Sequence, residues 1–187
     1  MASLTAYVTP ASTGLLPWTS RRPDLVRRVG ERPPLIKGER VLAAERDKAT
    51  GTRVVATREA VYYTDPGSVQ WWHRLGWEQI ERVDWDATRG ELRLASLLPE
   101  SAPDVALRLD RRMPLVDLAR ERVTATTLAR AQLQHGGSAA GWVVARRSPA
   151  GEVTWVVRLL NGVDPLDAAV QASVDAAIRR LGVHIGL

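Results

Sequence analysis

A chain of 187 residues that is 45% hydrophobic and carries a formal net charge of +5 can bury one sizeable core, or a core with a satellite, which excludes disorder of the whole chain. With no cysteine it can form no disulfide framework, thiol nucleophile or thiolate metal site. The charge is interleaved with 21 acids, so attraction to phosphate would need a local patch.

No run of about 18 apolar residues occurs, so no segment is read as spanning a bilayer. Met1 to Trp18 lacks the basic, then apolar, pattern of a secretory signal, and a cytoplasmic location is expected. Residues 1–37 read as an arm. They hold Pro10, Pro17, Pro23, Pro33 and Pro34, with the pairs Arg21-Arg22 and Arg27-Arg28, and show little periodicity. Leu15, Leu16 and Trp18 are the residues of the arm that could tuck against the body.

Residues 38–97 read as a strand meander. Apolar runs at 41–44, 53–57, 60–63 and 92–94 are separated by turn chemistry at Ala49-Thr50-Gly51, Asp65-Pro66-Gly67 and Thr88-Arg89-Gly90. Side chains alternate between faces of a strand, so one of Tyr62 and Tyr63, and one of Trp71 and Trp72, is expected in the core and the other outside. Trp77 and Trp85 are assigned to the core. A further strand is predicted over 103–109, with Val105, Leu107 and Leu109 inward.

A strand pair, then Thr57-Arg58-Glu59-Ala60-Val61-Tyr62, then Trp77-Glu78-Gln79-Ile80-Glu81-Arg82-Val83, then a strand hairpin resembles the bacterial pleckstrin-homology-like and GRAM-like domains over about residues 38–109. That resemblance implies an antiparallel barrel whose open end is plugged by a helix after the last strand. It also implies that the first turn of the meander, with Arg46, Lys48 and Arg53, sits where pleckstrin-homology domains grip anionic headgroups. The chain departs from the pattern in the Trp-rich insertion at 70–75. The whole chain also resembles a group of actinobacterial proteins of unknown function.

Residues 113–122 read as that helix, with Pro114 in its first turn and Leu115, Leu118, Ala119 and Arg122 on one face. Thr- and Val-rich residues 123–133 read as a strand, broken at Gly136-Gly137-Ser138. Residues 142–146 then pair with 153–159 across Ser148-Pro149-Ala150-Gly151. A closing helix is predicted with Asp164 as cap, Pro165 first, Asp167 at its positive end, Arg179 and Arg180 at its negative end and Gly182 as terminator. Its core stripe would be Leu166, Val170, Val174, Ala177, Ile178 and Leu181. The expected organisation is thus an α+β chain: an arm (1–37), a pleckstrin-homology-like meander with helix (38–122), and carboxy-terminal strands with a closing amphipathic helix (123–187) packed on it.

No stretch carries a catalytic, cofactor or metal signature. His73, His135 and His184 are isolated in sequence. Gly136, Gly137 and Gly141 precede a strand, where a phosphate-cradling loop would open a helix, and Ser138 has no base nearby. Asp84, Asp86 and Glu91, like Glu45 and Asp47, read as solvated charge beside turns. Arg111-Arg112 and Arg146-Arg147 read as edge or cap charges that deter strand pairing. The function read from this pattern is a non-enzymatic module that recognises a protein or peptide surface, with Arg46, Lys48, Arg53, Trp71 and Trp72 as the candidate contacts. A peripheral adaptor for an anionic membrane is the alternative and an enzyme with a non-contiguous site the third reading; nucleic acid is not an expected partner.

Overall fold

The computed structural model describes residues 30–68, 71–97, 104–109 and 114–187. Most of the proline- and arginine-rich arm (1–29), Val69-Gln70 and Arg111-Arg112 lie outside the described residues.

Among the described residues, ten strands and two α-helices follow one another as β1 (Val41–Arg46), β2 (Arg53–Thr57), β3 (Ala60–Thr64), β4 (Trp72–Gly76), a 3-10 turn (Trp77–Gln79), β5 (Ile80–Asp86), β6 (Glu91–Ser96), β7 (Val105–Arg108), α1 (Pro114–Thr126), β8 (Thr127–His135), β9 (Ser138–Arg147), β10 (Val153–Leu159) and α2 (Ala168–Ile185). The protein is α+β. Its strands form three antiparallel meanders, ordered β1-β2-β3-β4, β5-β6-β7 and β8-β9-β10.

The expected barrel does not form: among the described residues no ladder joins one sheet to another. The 3-10 turn makes one corner between the first two sheets. At the other, the Asp47 carboxylate just past β1 accepts the Arg108 amide of β7 at 2.7 Å, where a barrel would have a strand-to-strand bond. β4 was not legible in the Trp-rich insertion. It pairs with β3 in the register Tyr62–Arg74 and Tyr63–His73, so the insertion supplies the fourth strand of the first sheet.

The first core lies between the inner faces of the first two sheets and α1. Val54, Ala56, Val61, Leu75, Ile80, Leu92, Leu94 and Leu107 surround Trp77, whose indole nitrogen donates to the Thr57 carbonyl at 3.1 Å. Trp85 packs against this core while remaining partly open.

The outer face of the first sheet is also buried. Val41, Ala44, Val55, Ala60 and Tyr62 form a second cluster under Leu35 and Trp72. This explains why β2 and β3 are apolar at almost every position, as in sheets covered on both sides. It also corrects the Tyr62/Tyr63 expectation. The two rings point to opposite faces, and both faces are buried.

Helix α1 runs to Thr126, four residues beyond the predicted end. Val123 completes the buried face of Leu115, Val116 and Ala119 at helical spacing, and this packing overrides the strand preference of the threonines. The hydroxyls of Thr126 and Thr127 turn back onto the Val123 carbonyl, and the chain passes directly into β8. In the third sheet Ala131, Leu133, Ala140 and Val143 pack against Val174, Ala177 and Leu181 of α2. The predicted helix start is corrected. Asp167, not Asp164, is the cap, accepting the amides of Ala169 and Val170, while Asp164 accepts the Leu166 amide in the preceding turn. Leu166 is therefore outside the helix and 80% exposed, Gly182 lies inside it, and Gly186 ends it at φ +79°.

Arg146 joins the third sheet to the rest, which corrects its reading as a surface charge: it is 4% exposed, while Arg147 is exposed. One guanidinium nitrogen donates to the Val123 carbonyl (2.9 Å) and to the hydroxyls of Thr126 (3.1 Å) and Thr127 (2.6 Å). The other donates to the carbonyls of Ile80 (3.0 Å) and Glu81 (3.4 Å). Arg158 reinforces the junction through the Glu81 carboxylate at 3.2 Å. Burial lowers the affinity of Arg146 for its proton, nearby Arg130 adds to that, and Glu81 partly offsets it.

Candidate functional site

The five candidate contact residues gather at one end of the first sheet. The β1–β2 turn is built on Asp47, which is 2% exposed: its carboxylate accepts the amides of Ala49 (2.7 Å) and Thr50 (3.0 Å), and Gly51, at φ +75°, closes the loop by donating to the Asp47 carbonyl. The reading of Asp47 as solvated charge is thus overturned. Burial alone would raise its carboxyl, but the amides of Arg108, Thr50 and Ala49 outweigh that and hold it below the usual value.

The β3–β4 loop leans on this turn, since the Gly67 amide donates to the Thr50 carbonyl at 3.2 Å. That contact brings the loop carrying Trp71 to the same end as Arg46 and Lys48. Trp71 is 73% exposed and Arg46 and Lys48 are exposed. The Arg46 guanidinium lies over Gly51, where a Cβ would stand 3.7 Å from it.

Arg53 and Trp72 are turned to other work. Arg53 has a side chain only 13% exposed and pairs with Glu31 at 2.9 Å, pinning residues 30–37 beside the sheet. Trp72 is half-buried on the outer-face cluster. Below the loop, His73 stacks on Tyr63 with ring centroids 5.1 Å apart, and its Nε2 is 2.9 Å from an Asp65 carboxylate oxygen. Burial, with Asp65 nearby, raises the Tyr63 hydroxyl. Asp84 and Asp86 are surface charge as read, Asp84 pairing with Arg82 and Asp86 accepting the amides of Thr88 and Arg89, whereas the Glu91 side chain is only 12% exposed and pairs with Arg93.

A buried polar cluster on the outer face of the first sheet was missed. The Tyr62 hydroxyl donates to Glu39, and Arg74 donates to the other Glu39 oxygen at 3.0 Å and to the Tyr62 hydroxyl at 3.2 Å. Burial first, and then the Glu39 charge, push the Tyr62 hydroxyl far above its ordinary range. Only the Tyr62–Arg74 register, invisible before β4 is recognised, could have signalled it.

Among the described residues no group of three or more histidine, aspartate or glutamate side chains is placed to hold a metal ion. No helix among them is long and apolar enough to cross a membrane. An open groove of about 830 Å³ runs between β1 and α1, past Leu42, Leu118, Glu121 and Arg122. No protein-family model, curated protein or solved structure matches the chain significantly.

Proposed function

We propose that the chain is a binding module whose contact surface is the end of the first sheet formed by the β1–β2 turn and the β3–β4 loop, and that it acts by recognition of a protein or peptide. The observation that carries this reading is the exposed Trp71 ring at the same end of the sheet as exposed Arg46 and Lys48, with the two loops joined by the Gly67–Thr50 hydrogen bond. An indole offers a large rigid contact area at low entropic cost, and two adjacent cations select an acidic counterpart. The pleckstrin-homology-like assignment belongs to the same proposal. A four-stranded and a three-stranded meander followed by a helix against both support it.

The same triad of residues suits an anionic membrane surface, where tryptophan seats at the headgroup level and each cation adds attraction of about 1 kcal/mol. Two measurements separate the readings. Affinity capture with wild-type protein, compared with Trp71→Ala and with Arg46→Ala/Lys48→Ala, is expected to retain a partner that both variants lose while their melting temperatures stay unchanged. Flotation with anionic vesicles at low and high salt is expected to leave the protein in the lower fraction. Salt-sensitive flotation lost in the same variants would replace the protein partner with a lipid one, and a partner retained by both variants would remove the surface from the function.

A further inference from the structure

We infer that the chain associates as a two-fold dimer through the open edge of β8 and the exposed side of α2, the occupant of that surface being a second copy of the same chain. This does not rest on the proposed contact at Trp71, which lies on the first sheet.

β8 has nine residues, lacks proline, and among the described residues pairs only with β9. An edge of that length is commonly blunted by proline, by charged side chains, lysine above all, or by bulges. Here the register irregularities fall toward its ends, and its inner face is Ala129, Ala131 and Leu133.

Above this edge lies a second stripe on α2, distinct from the one that packs on the sheet. Its residues Ala169, Ala176, Arg180 and Val183 are exposed, Val183 at 80%, and Leu166 and Leu187, which flank the helix at either end, are exposed at 80% and 70%. With half-buried Ser173 the four helical residues follow one another at alternating intervals of four and three residues, the spacing of a helix–helix seam. The stripe overhangs β8, because Arg180, Val183 and His184 form a groove of about 500 Å³ with Leu128 and Arg130.

Strand and helix run in opposite directions past each other. The start of β8 meets the carboxy-terminal turns of α2 in that groove, and at the far end His135 is close enough to act on the charge of Asp167. From there to the groove is about 20 Å of strand or about 22 Å of helix, so the midpoints near Ala131 and Ala176 stand over one another. A single axis normal to the sheet therefore serves both elements.

Pairing about that axis is self-complementary. On the helix, Ala169 meets Val183 of the second copy, Ser173 meets Arg180, and Ala176 meets itself. On the strand, Ala129 meets Leu133 and Arg130 meets Gln132. No like charges stand opposite one another, and the Asp167 end of each helix lies beside the His184 end of its mate, which also opposes their dipoles favourably. The spacings agree as well. Paired strands about 4.8 Å apart place β8 about 2.4 Å from the axis, and helices about 8 Å apart place α2 about 4 Å from it, over the strand on which it packs. The small side chains at Ala169 and Ala176 permit that close approach.

Sedimentation equilibrium of the intact chain is expected to give twice the chain mass of 20.6 kDa. Ala176→Arg sets two like charges against each other at the axis and is expected to weaken association about a hundredfold or more without changing the circular dichroism. Val183→Glu, at another exposed position, is the second variant should the first disturb folding. Because the chain has no cysteine, Ala176→Cys reports the axis directly. It is expected to form an intermolecular disulfide much faster than Ala172→Cys, which is exposed one turn away but whose mate lies beyond disulfide reach. A monomeric wild type, a dimer indifferent to both charged substitutions, or equal cross-linking at 172 and 176 overturns the inference.

Discussion

Two carboxyls show how opposite environments give opposite linkage to pH. Glu78 folds back over Gly76, where a Cβ would stand 2.2 Å from its carboxylate oxygen, and its other oxygen is buried without a partner. Burial raises its affinity for the proton above the ordinary 4.5, despite opposing help from its own amide and from Arg74. The folded state thus holds this proton more tightly than the unfolded chain, and the group's contribution to stability falls as pH rises from 4.5 through the raised folded value. Glu78→Gln is expected to raise the melting temperature at pH 7 and to leave it unchanged near pH 4. Asp47 is the reverse case. Its folded affinity is lowered, so its contribution is present above the ordinary 3.8 and lost as pH falls through the folded value. Asp47→Ala removes the acceptor of three amides and is expected to cost about 3 kcal/mol in denaturant unfolding at neutral pH, the loss shrinking in acid. A melting temperature that falls on Glu78→Gln, or a cost of Asp47→Ala that does not shrink in acid, contradicts these assignments.

At the scale of the element, period and punctuation were readable and the choice between neighbouring signals was not. The stripe of Val170, Val174, Ala177 and Leu181 was legible because it repeats over about three turns, and all four are buried. The start of the same helix was misplaced because Asp164 and Asp167 both carry capping chemistry, and only the fold decides which carboxylate meets free helix amides. Asp167 does so, at 2.7 Å to Ala169 and 3.1 Å to Val170, and those bonds hold its carboxyl below the usual value. Asp167→Ala is expected to lower the melting temperature and the helical signal of the third sheet's unit, whereas Asp164→Ala, which loses one bond in an exposed turn, is expected to shift them less. Equal effects would return the cap to Asp164. The candidate surface divides in the same way. The turn bearing Arg46 and Lys48 could be read from local chemistry, but Arg53 and Asp47 are committed to Glu31 and Arg108, 22 and 61 residues away in sequence, and no local pattern announces such partners.

The molecule as a whole depends on a side chain that sequence assigned to the surface. An arginine pair beside a turn has the appearance of edge charge, yet Arg146 lies at the meeting point of β5, the end of α1 and β9, and its five hydrogen bonds reach three separate elements. The hydrophobic clusters are separate: one core serves the first two sheets with α1, and another serves the third sheet with α2. Among the described residues, the links between them include α1 running into β8 and the contacts of Arg146 and Arg158. Arg146→Met keeps the aliphatic volume and leaves the carbonyls of Ile80 and Glu81 without this donor, while the Val123 carbonyl keeps the hydroxyls of Thr126 and Thr127. Each buried acceptor so stranded costs about 1–3 kcal/mol. The expected result is a loss of about 3 kcal/mol together with separation of one unfolding transition into two. Trp77 and Trp85 report the first unit, and Trp142 and Trp155 the second, so single-tryptophan variants in the Arg146→Met background can follow each. Coincident transitions would mean that the continuous backbone from α1 into β8, with Arg158 on Glu81, couples the two cores without Arg146.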